Sequence, residues 1–299
     1  MTARDYSLNS LYRDLGQQLK RAGVDSPLFA AEWILRSVLG WDRSRFFMEM
    51  DSSVPESVRL QAEKWVHAHS RGIPIQYLTG EQEFFGRSFW VNPSVLIPRP
   101  ETEELVETLF SAADSIWENR SLQVADLGSG SGAVAVTLAA ERPHWQVYAV
   151  DVSPEAAAVT KRNAKRHGVR ERMRFLQGDW LKPLVEKKWE VDILVSNPPY
   201  IPSEEIDGLE TGVKDYEPRL ALDGGADGLT PYRSIADDLG KVLRDPGLVA
   251  FEIGVGQGED VVGILKQRWS SNADTRILLD LAGRERMVLA SKGRLPDSL

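Results

Sequence analysis

The chain has 299 residues, about two domains of ordinary size, and its 42% apolar and 27% charged content is close to globular averages, which excludes a disordered or fibrous protein. It has no cysteine, so disulfides, thiolate nucleophiles and thiolate zinc sites are excluded, and a reducing compartment is the simple expectation. Thirty-six Lys plus Arg against 44 Asp plus Glu leave a net charge of −8, which disfavours tight, sequence-independent binding to nucleic acid.

Met1-Thr2-Ala3-Arg4-Asp5-Tyr6 has no apolar run behind its charge, so no signal peptide is expected there. No apolar run nears the roughly 20 residues that span a bilayer, and a cytoplasmic protein without membrane contact is expected. Leu8, Leu11, Tyr12, Leu15 and Leu19 recur on one helical face. Ser26-Pro27 predicts the start of a second helix and Gly40 its end. A third is predicted from about Pro55 to His69, with Val58, Ala62, Trp65 and Val66 turned inward. His67 and His69 stand two apart, so a helix points them in different directions and no metal site is expected.

Residues 83–91 carry aromatic or β-branched arms on both sides of Gly86, which predicts a hairpin. Leu96-Ile97-Pro98-Arg99-Pro100 then denies the backbone both helix and central strand, and a helix packing Leu105, Val106 and Leu109 follows from about Thr102. From residue 122 short apolar runs alternate with helical stretches, the pattern of βα units. Strands are predicted at 122–127, 146–150, 173–177, 191–196, 247–253, near 276–280 and at 286–290, and helices at about 132–141, 154–167, 231–244 and 258–269. The fold class expected is α/β, a doubly wound, mainly parallel sheet (101–299) preceded by a small helical domain (1–75) and a β-hairpin linker (76–100).

Asp126-Leu127-Gly128-Ser129-Gly130-Ser131-Gly132 runs from a strand into a helix, where glycines let backbone N–H groups approach a ligand. Asp151 ends the next strand, placed to accept from ribose hydroxyls. The spacing Gly128-x-Gly130-x-x-Ala133 also fits the relaxed dinucleotide fingerprint, and a glycine-rich turn that binds nothing is the bland alternative. Asp126 tips the balance. A carboxylate just ahead of the loop sits badly beside a pyrophosphate but suits a ligand carrying an ammonium and a sulfonium, and S-adenosylmethionine is such a ligand. Asp179 can accept from an adenine amino group and Trp180 can wall the base; an ordinary turn at Gly178-Asp179 explains them equally well.

The strand at 191–196 ends at Asn197-Pro198-Pro199-Tyr200. Two prolines hold the backbone rigid with its carbonyls free. The Asn197 side-chain oxygen and the Pro198 carbonyl can accept both in-plane protons of a planar NH2 while Tyr200 packs on the planar group. Preorganised acceptors of this kind favour charge building on nitrogen as it attacks an electrophile. A strand-ending turn that happens to use two prolines is the alternative.

The order of these motifs resembles a class I S-adenosylmethionine-dependent N-methyltransferase acting on a planar amide or amine. Tyr77-Leu78-Thr79-Gly80, Val95-Leu96-Ile97-Pro98-Arg99-Pro100-Glu101-Thr102-Glu103, Gly224-Gly225-Ala226-Asp227-Gly228-Leu229, Glu252-Ile253-Gly254 and Asp280–Arg286 are similar to the peptide chain release factor glutamine methyltransferases, the HemK/PrmC family. The likeness runs from about residue 70 to the end; the first 70 residues match in helical character.

The resemblance implies methyl transfer to the side-chain N5 of the glutamine in the Gly-Gly-Gln loop of release factors. It places Gly128, Ser129, Gly130, Ser131, Gly132, Asp151, Trp180 and Asn197 at the cofactor, Asn197, Pro198, Pro199 and Tyr200 at the glutamine amide, and the helical domain at the protein substrate. An adenine N6-methyltransferase on DNA or RNA is the alternative, since adenine offers the same NH2, but net charge and the lack of a nucleic-acid module speak against it. A non-catalytic module would leave the loop, acid and tetrapeptide free to drift. The basic run Lys161–Arg166 fits a solvated helix face. Arg99, Glu101, Glu103 and Glu252 either line the cleft or tie the linker to its neighbours.

Overall fold

The computed structural model describes residues 7–118 and 120–297; the Met1–Tyr6 stretch, on which the absence of a leader was expected, lies outside them. The chain divides into two compact units, Met1–Glu81 with Thr211–Tyr216, and Gln82–Glu210 with Glu217–Leu299.

The first unit is helical. In α1 (Leu8–Arg21) the leucine face is buried and the Ser7 hydroxyl accepts from the Ser10 N–H, capping the first turn. In α2 (Pro27–Leu39) proline occupies the first turn and Gly40 ends the helix at φ +67°, as its sequence predicts. Ser26 itself is left-handed and its hydroxyl caps nothing. A six-residue helix absent from the predicted set, α3 (Arg43–Met48), is capped by Asp42 and buries Phe46. In α4 (Glu56–His69) Ala62 and Val66 are buried and Val58 and Trp65 half-buried. His67 is exposed, while His69 Nδ1 meets the Ile73 carbonyl at 2.8 Å. A last short helix, α5 (Ile75–Thr79), ends at Gly80.

The hairpin β1 (Glu81–Phe84) and β2 (Arg87–Trp90) lies in the second unit from Gln82 on, and its Phe85 and Gly86 both take positive φ, the primed turn that matches strand twist. Then come α6 (Pro100–Trp117), β3 (Gln123–Leu127), α7 (Ala133–Glu141), β4 (Gln146–Asp151), α8 (Pro154–Arg166), β5 (Met173–Gln177), α9 (Lys182–Lys187) and β6 (Val191–Ser196). After the four-residue α10 (Thr211–Lys214), which belongs to the first unit, follow α11 (Thr230–Val242), β7 (Leu243–Glu252), α12 (Gly258–Arg268), β8 (Asp274–Leu279) and β9 (Glu285–Ser291).

Seven strands form one sheet in the order β5-β4-β3-β6-β7-β9-β8, parallel except for β9, which runs against both neighbours. This is the doubly wound sheet expected. The chain proceeds outward from β3 through β4 to β5, then returns to place β6 on the other side of β3. Strand order reverses there, so the loops leaving β3 and β6 diverge and open a crevice at the carboxyl edge. The glycine loop follows β3 and Asn197–Tyr200 follows β6.

Among the described residues no helix is long and apolar enough to cross a membrane.

Candidate active site

The loop after β3 is clamped from below and from the side. Gly128 and Ser129 donate backbone N–H bonds to the Val150 carbonyl on β4 at 2.9 and 3.0 Å. Gly132, at φ +80°, starts α7, and a Cβ there would meet Thr160 Cγ2 at 2.8 Å, so position 132 requires glycine twice over. Two side chains of α8 finish the clamp. Thr160 Oγ1 donates to the Gly130 carbonyl at 2.9 Å, and Asn163 Nδ2 donates to the Ser131 carbonyl at 2.8 Å. Asn163 also exchanges bonds with both backbone groups of Trp90 on the hairpin.

Asp126 is 2% exposed at the end of β3, and its Oδ2 accepts from the Ala135 N–H in the first turn of α7 at 3.0 Å. Burial pushes its carboxyl up to about 7, against the pull of that hydrogen bond. Asp151 accepts from Gly130 N–H at 2.8 Å and Ser153 N–H at 2.9 Å, one on each oxygen. Burial raises it as well, and its backbone donors oppose the rise. Each of its oxygens keeps a further lone pair for a ligand. Asp179 meets Lys182 Nζ at 2.5 Å, and Trp180 at φ +49° brings its ring against Gly128.

At the end of β6, Asn197 Nδ2 donates to Thr102 Oγ1 at 3.1 Å, and Thr102 in turn donates to Glu252 Oε2 at 2.6 Å. The Asn197 carbonyl oxygen has no partner among the described residues. Tyr200 is held by its main chain, its carbonyl accepting from Gln257 Nε2 at 3.0 Å, and burial pushes its hydroxyl up to about 12. The segment at 224–229 backs the tetrapeptide: a Cβ on Gly228 would lie 2.3 Å from the Tyr200 carbonyl oxygen, so glycine permits the approach.

These elements enclose one cavity of about 470 Å³. Asp126, Gly128, Ser129, Gly130, Ser131, Asp151, Asp179, Trp180, Asn197 and Pro199 are among the residues that line it. Gly132, Pro198 and Tyr200 are not among the lining residues: Gly132 serves the turn, Pro198 is buried between the lining Asn197 and Pro199, and the half-buried Tyr200 packs on the core cluster that holds Tyr232 and Phe251. Arg99 is the one Lys or Arg among the described lining residues, and it is paired with Glu217 at 2.5 Å.

Family models for two segments match the sequence, one described as the PrmC N-terminal domain over residues 10–80 and one as a methyltransferase small domain over 102–210. A release factor glutamine methyltransferase of Bacillus anthracis is 44% identical over 261 residues, covering 87% of this chain and 91% of that protein. One from Bacillus subtilis is 40% identical, covering 87% and 90%. The chain belongs to the release factor glutamine methyltransferase family. The solved catalytic domain of hMettl16 in complex with MAT2A 3′UTR hairpin 6 shares the fold, with a TM-score of 0.55 at 13% identity over 80% of this chain and 83% of that one.

Within this family member the linker residues left open by sequence now have places. Arg99 and Glu217 close an ion pair, and the 6%-exposed Glu217 also accepts from the Ile97 N–H, so the linker is fixed to the segment after β6. Glu103 accepts from the Phe85 N–H at 2.8 Å and ties the hairpin to α6. Glu101 lies 4.0 Å from Arg284. Glu252 is 1% exposed and joins the site through Thr102.

Thr102, Thr160, Asn163 and Glu217 were missed by sequence reasoning. Thr160 and Asn163 carried a readable signal, two polar residues interrupting the inward face Ala156, Val159 and Ala164 of α8.

Proposed function

We infer that this chain transfers a methyl group from S-adenosylmethionine to the side-chain N5 of the glutamine in the Gly-Gly-Gln motif of peptide chain release factors. The observation that carries the inference is the orientation of Asn197: its NH2 is committed to Thr102, so its carbonyl oxygen is free for a substrate NH2 at the cavity wall.

The lining suits the cofactor. Four aspartates line the cavity: Asp179 and Asp223 are paired with Lys182 and Arg219, and Asp126 and Asp151 have no ion pair among the described residues. The one lining cation, Arg99, is paired with Glu217, which leaves the wrong sign for a pyrophosphate and the right sign for an ammonium and a sulfonium. Asp126 is a desolvated carboxyl without a cationic partner among the described residues, which a bound cation would supply. Asp151 holds ribose hydroxyls on its spare lone pairs, and Asp179 and Trp180 hold the adenine. When bound, S-adenosylmethionine supplies a methyl carbon whose bonding pair stays on sulfur as the new C–N bond forms.

The chain's own residues do the rest. Asn197 Oδ1 and the Pro198 carbonyl accept hydrogen bonds from the two amide N–H groups, hold the nitrogen in one orientation and favour the charge that grows on it, and one of the two protons passes to solvent once the C–N bond has formed. Fixing that geometry supplies an entropic part that reaches about 7–11 kcal/mol in good intramolecular reactions. The helical unit docks the protein substrate.

Incubation with S-adenosylmethionine and an unmethylated bacterial release factor, followed by mass spectrometry, should show one methyl group on the Gly-Gly-Gln peptide and none with Asn197→Ala. Methyl transfer to adenine in DNA or RNA with none to the release factor would replace this assignment.

A further inference from the structure

The chain Glu252–Thr102–Asn197 has a direction, and the direction has a consequence for which end of the Asn197 amide faces substrate. A carboxylate is an acceptor only, so the single Thr102 hydroxyl proton must point at Glu252, where the contact is 2.6 Å. The Thr102 oxygen is then left as an acceptor, and only the NH2 of Asn197 can satisfy it at 3.1 Å. Protonated Glu252 can instead donate to Thr102. Thr102 is then free to donate to an amide oxygen, and the flipped Asn197 would present its NH2 to the substrate NH2, donor against donor.

We propose that Thr102 and Glu252 are positioning residues that set the polarity of Asn197, with ionised Glu252 holding the carbonyl oxygen toward the substrate nitrogen. This rests on the amide-methylating assignment and adds to it two residues that need not touch the substrate glutamine.

The surroundings of Glu252 make the proton a variable. Arg286 on β9 and Arg99 before α6 favour its charge, Glu101 on α6 opposes it, and the half-buried Tyr200 and the buried Tyr232 are further titratable neighbours. The Tyr232 hydroxyl donates to the Glu252 backbone carbonyl at 2.8 Å and leaves the side chain to Thr102. Burial prevails, and the carboxyl is pushed up to about 7.

Two sets of measurements test the proposal. In steady-state assays with release factor, wild-type kcat should rise with pH through about 7. Thr102→Val should lower kcat roughly 10- to 100-fold, less than the full loss of one preorganised group. Its KM for the cofactor should stay within about twofold, and Thr102→Ser should restore kcat to within about threefold, both small against a tenfold, 1.4 kcal/mol effect. Glu252→Gln, neutral at every pH, should lose the pH limb. Wild-type kcat and an unchanged pH profile in Thr102→Val would overturn the proposal.

An arm independent of activity reads the side-chain amide resonance of Asn197 by NMR in the full chain. It should shift with pH in the wild type and stay fixed in Glu252→Gln. Absence of that shift overturns the polarity relay whatever the activity; a shift in a chain that methylates no release factor would keep the relay and remove the substrate assignment.

Discussion

Asp126 combines near-complete burial, one backbone hydrogen bond from Ala135 and a place on the cavity wall. An isolated buried carboxylate is costly, and this one is held up at about 7 by burial. A cation placed beside it would favour the ionised form. Binding of S-adenosylmethionine near pH 7 should therefore release protons, seen in calorimetry as a binding enthalpy that varies with the ionisation heat of the buffer. Asp126→Asn should remove that variation and weaken binding roughly 10- to 100-fold, the scale of a lost charged hydrogen bond. A variant with unchanged affinity and proton release would separate Asp126 from the cofactor. The flanking Gly132 makes the same point sterically, since its Cβ-free surface against Thr160 lets α8 press close to the loop.

The helical unit leaves large apolar side chains in solvent on two helices, Leu28 and Phe29 on α2 and Phe47 and Met48 on α3. Apolar residues in such a position serve a protein partner more readily than a small ligand. Phe29→Ser combined with Phe47→Ser should raise KM for an intact release factor by roughly tenfold, in the range of interface anchors, and leave kcat/KM for a short Gly-Gly-Gln peptide unchanged. Equal losses on both substrates would point to damage to the fold instead. How much sequence reveals depends on element length. The seven sheet strands and the long helices were legible because apolar runs and helical periodicity repeat several times within each. The six-residue α3 and α9 gave fewer than two turns of pattern and were not. The site was legible where chemistry is local, as in Asp126–Gly132 and Asn197–Tyr200. It was hidden where partners lie 95 residues apart, as Thr102 and Asn197 do, or 118, as Arg99 and Glu217 do. Only the sheet's reversal between β3 and β6 brings the two local motifs to one crevice.

For the molecule as a whole, the buried carboxylates make stability depend on pH in an unusual direction. Asp126 and Glu252 both have folded values near 7, above their ordinary values of 3.8 and 4.5. The folded chain therefore binds protons that the unfolded chain has already released, so their contribution is full below about 4 and is lost as pH rises through about 7. His167 works the other way, since burial lowers it from 6.5, but its contribution is complete above that value. Between pH 6.5 and 8 the melting temperature of the cofactor-free protein should fall. Saturating S-adenosylmethionine should flatten the fall by favouring ionised Asp126. A melting temperature that rises across that range would contradict the assignment of these two groups.

The most direct measurement is a crystal structure of the chain with S-adenosylhomocysteine and a Gly-Gly-Gln peptide. The glutamine amide nitrogen should lie at roughly 2.7–3.2 Å from Asn197 Oδ1, with its open face toward the sulfur. A carboxamide bound elsewhere, or an Asn197 carbonyl turned away from it, would contradict the account.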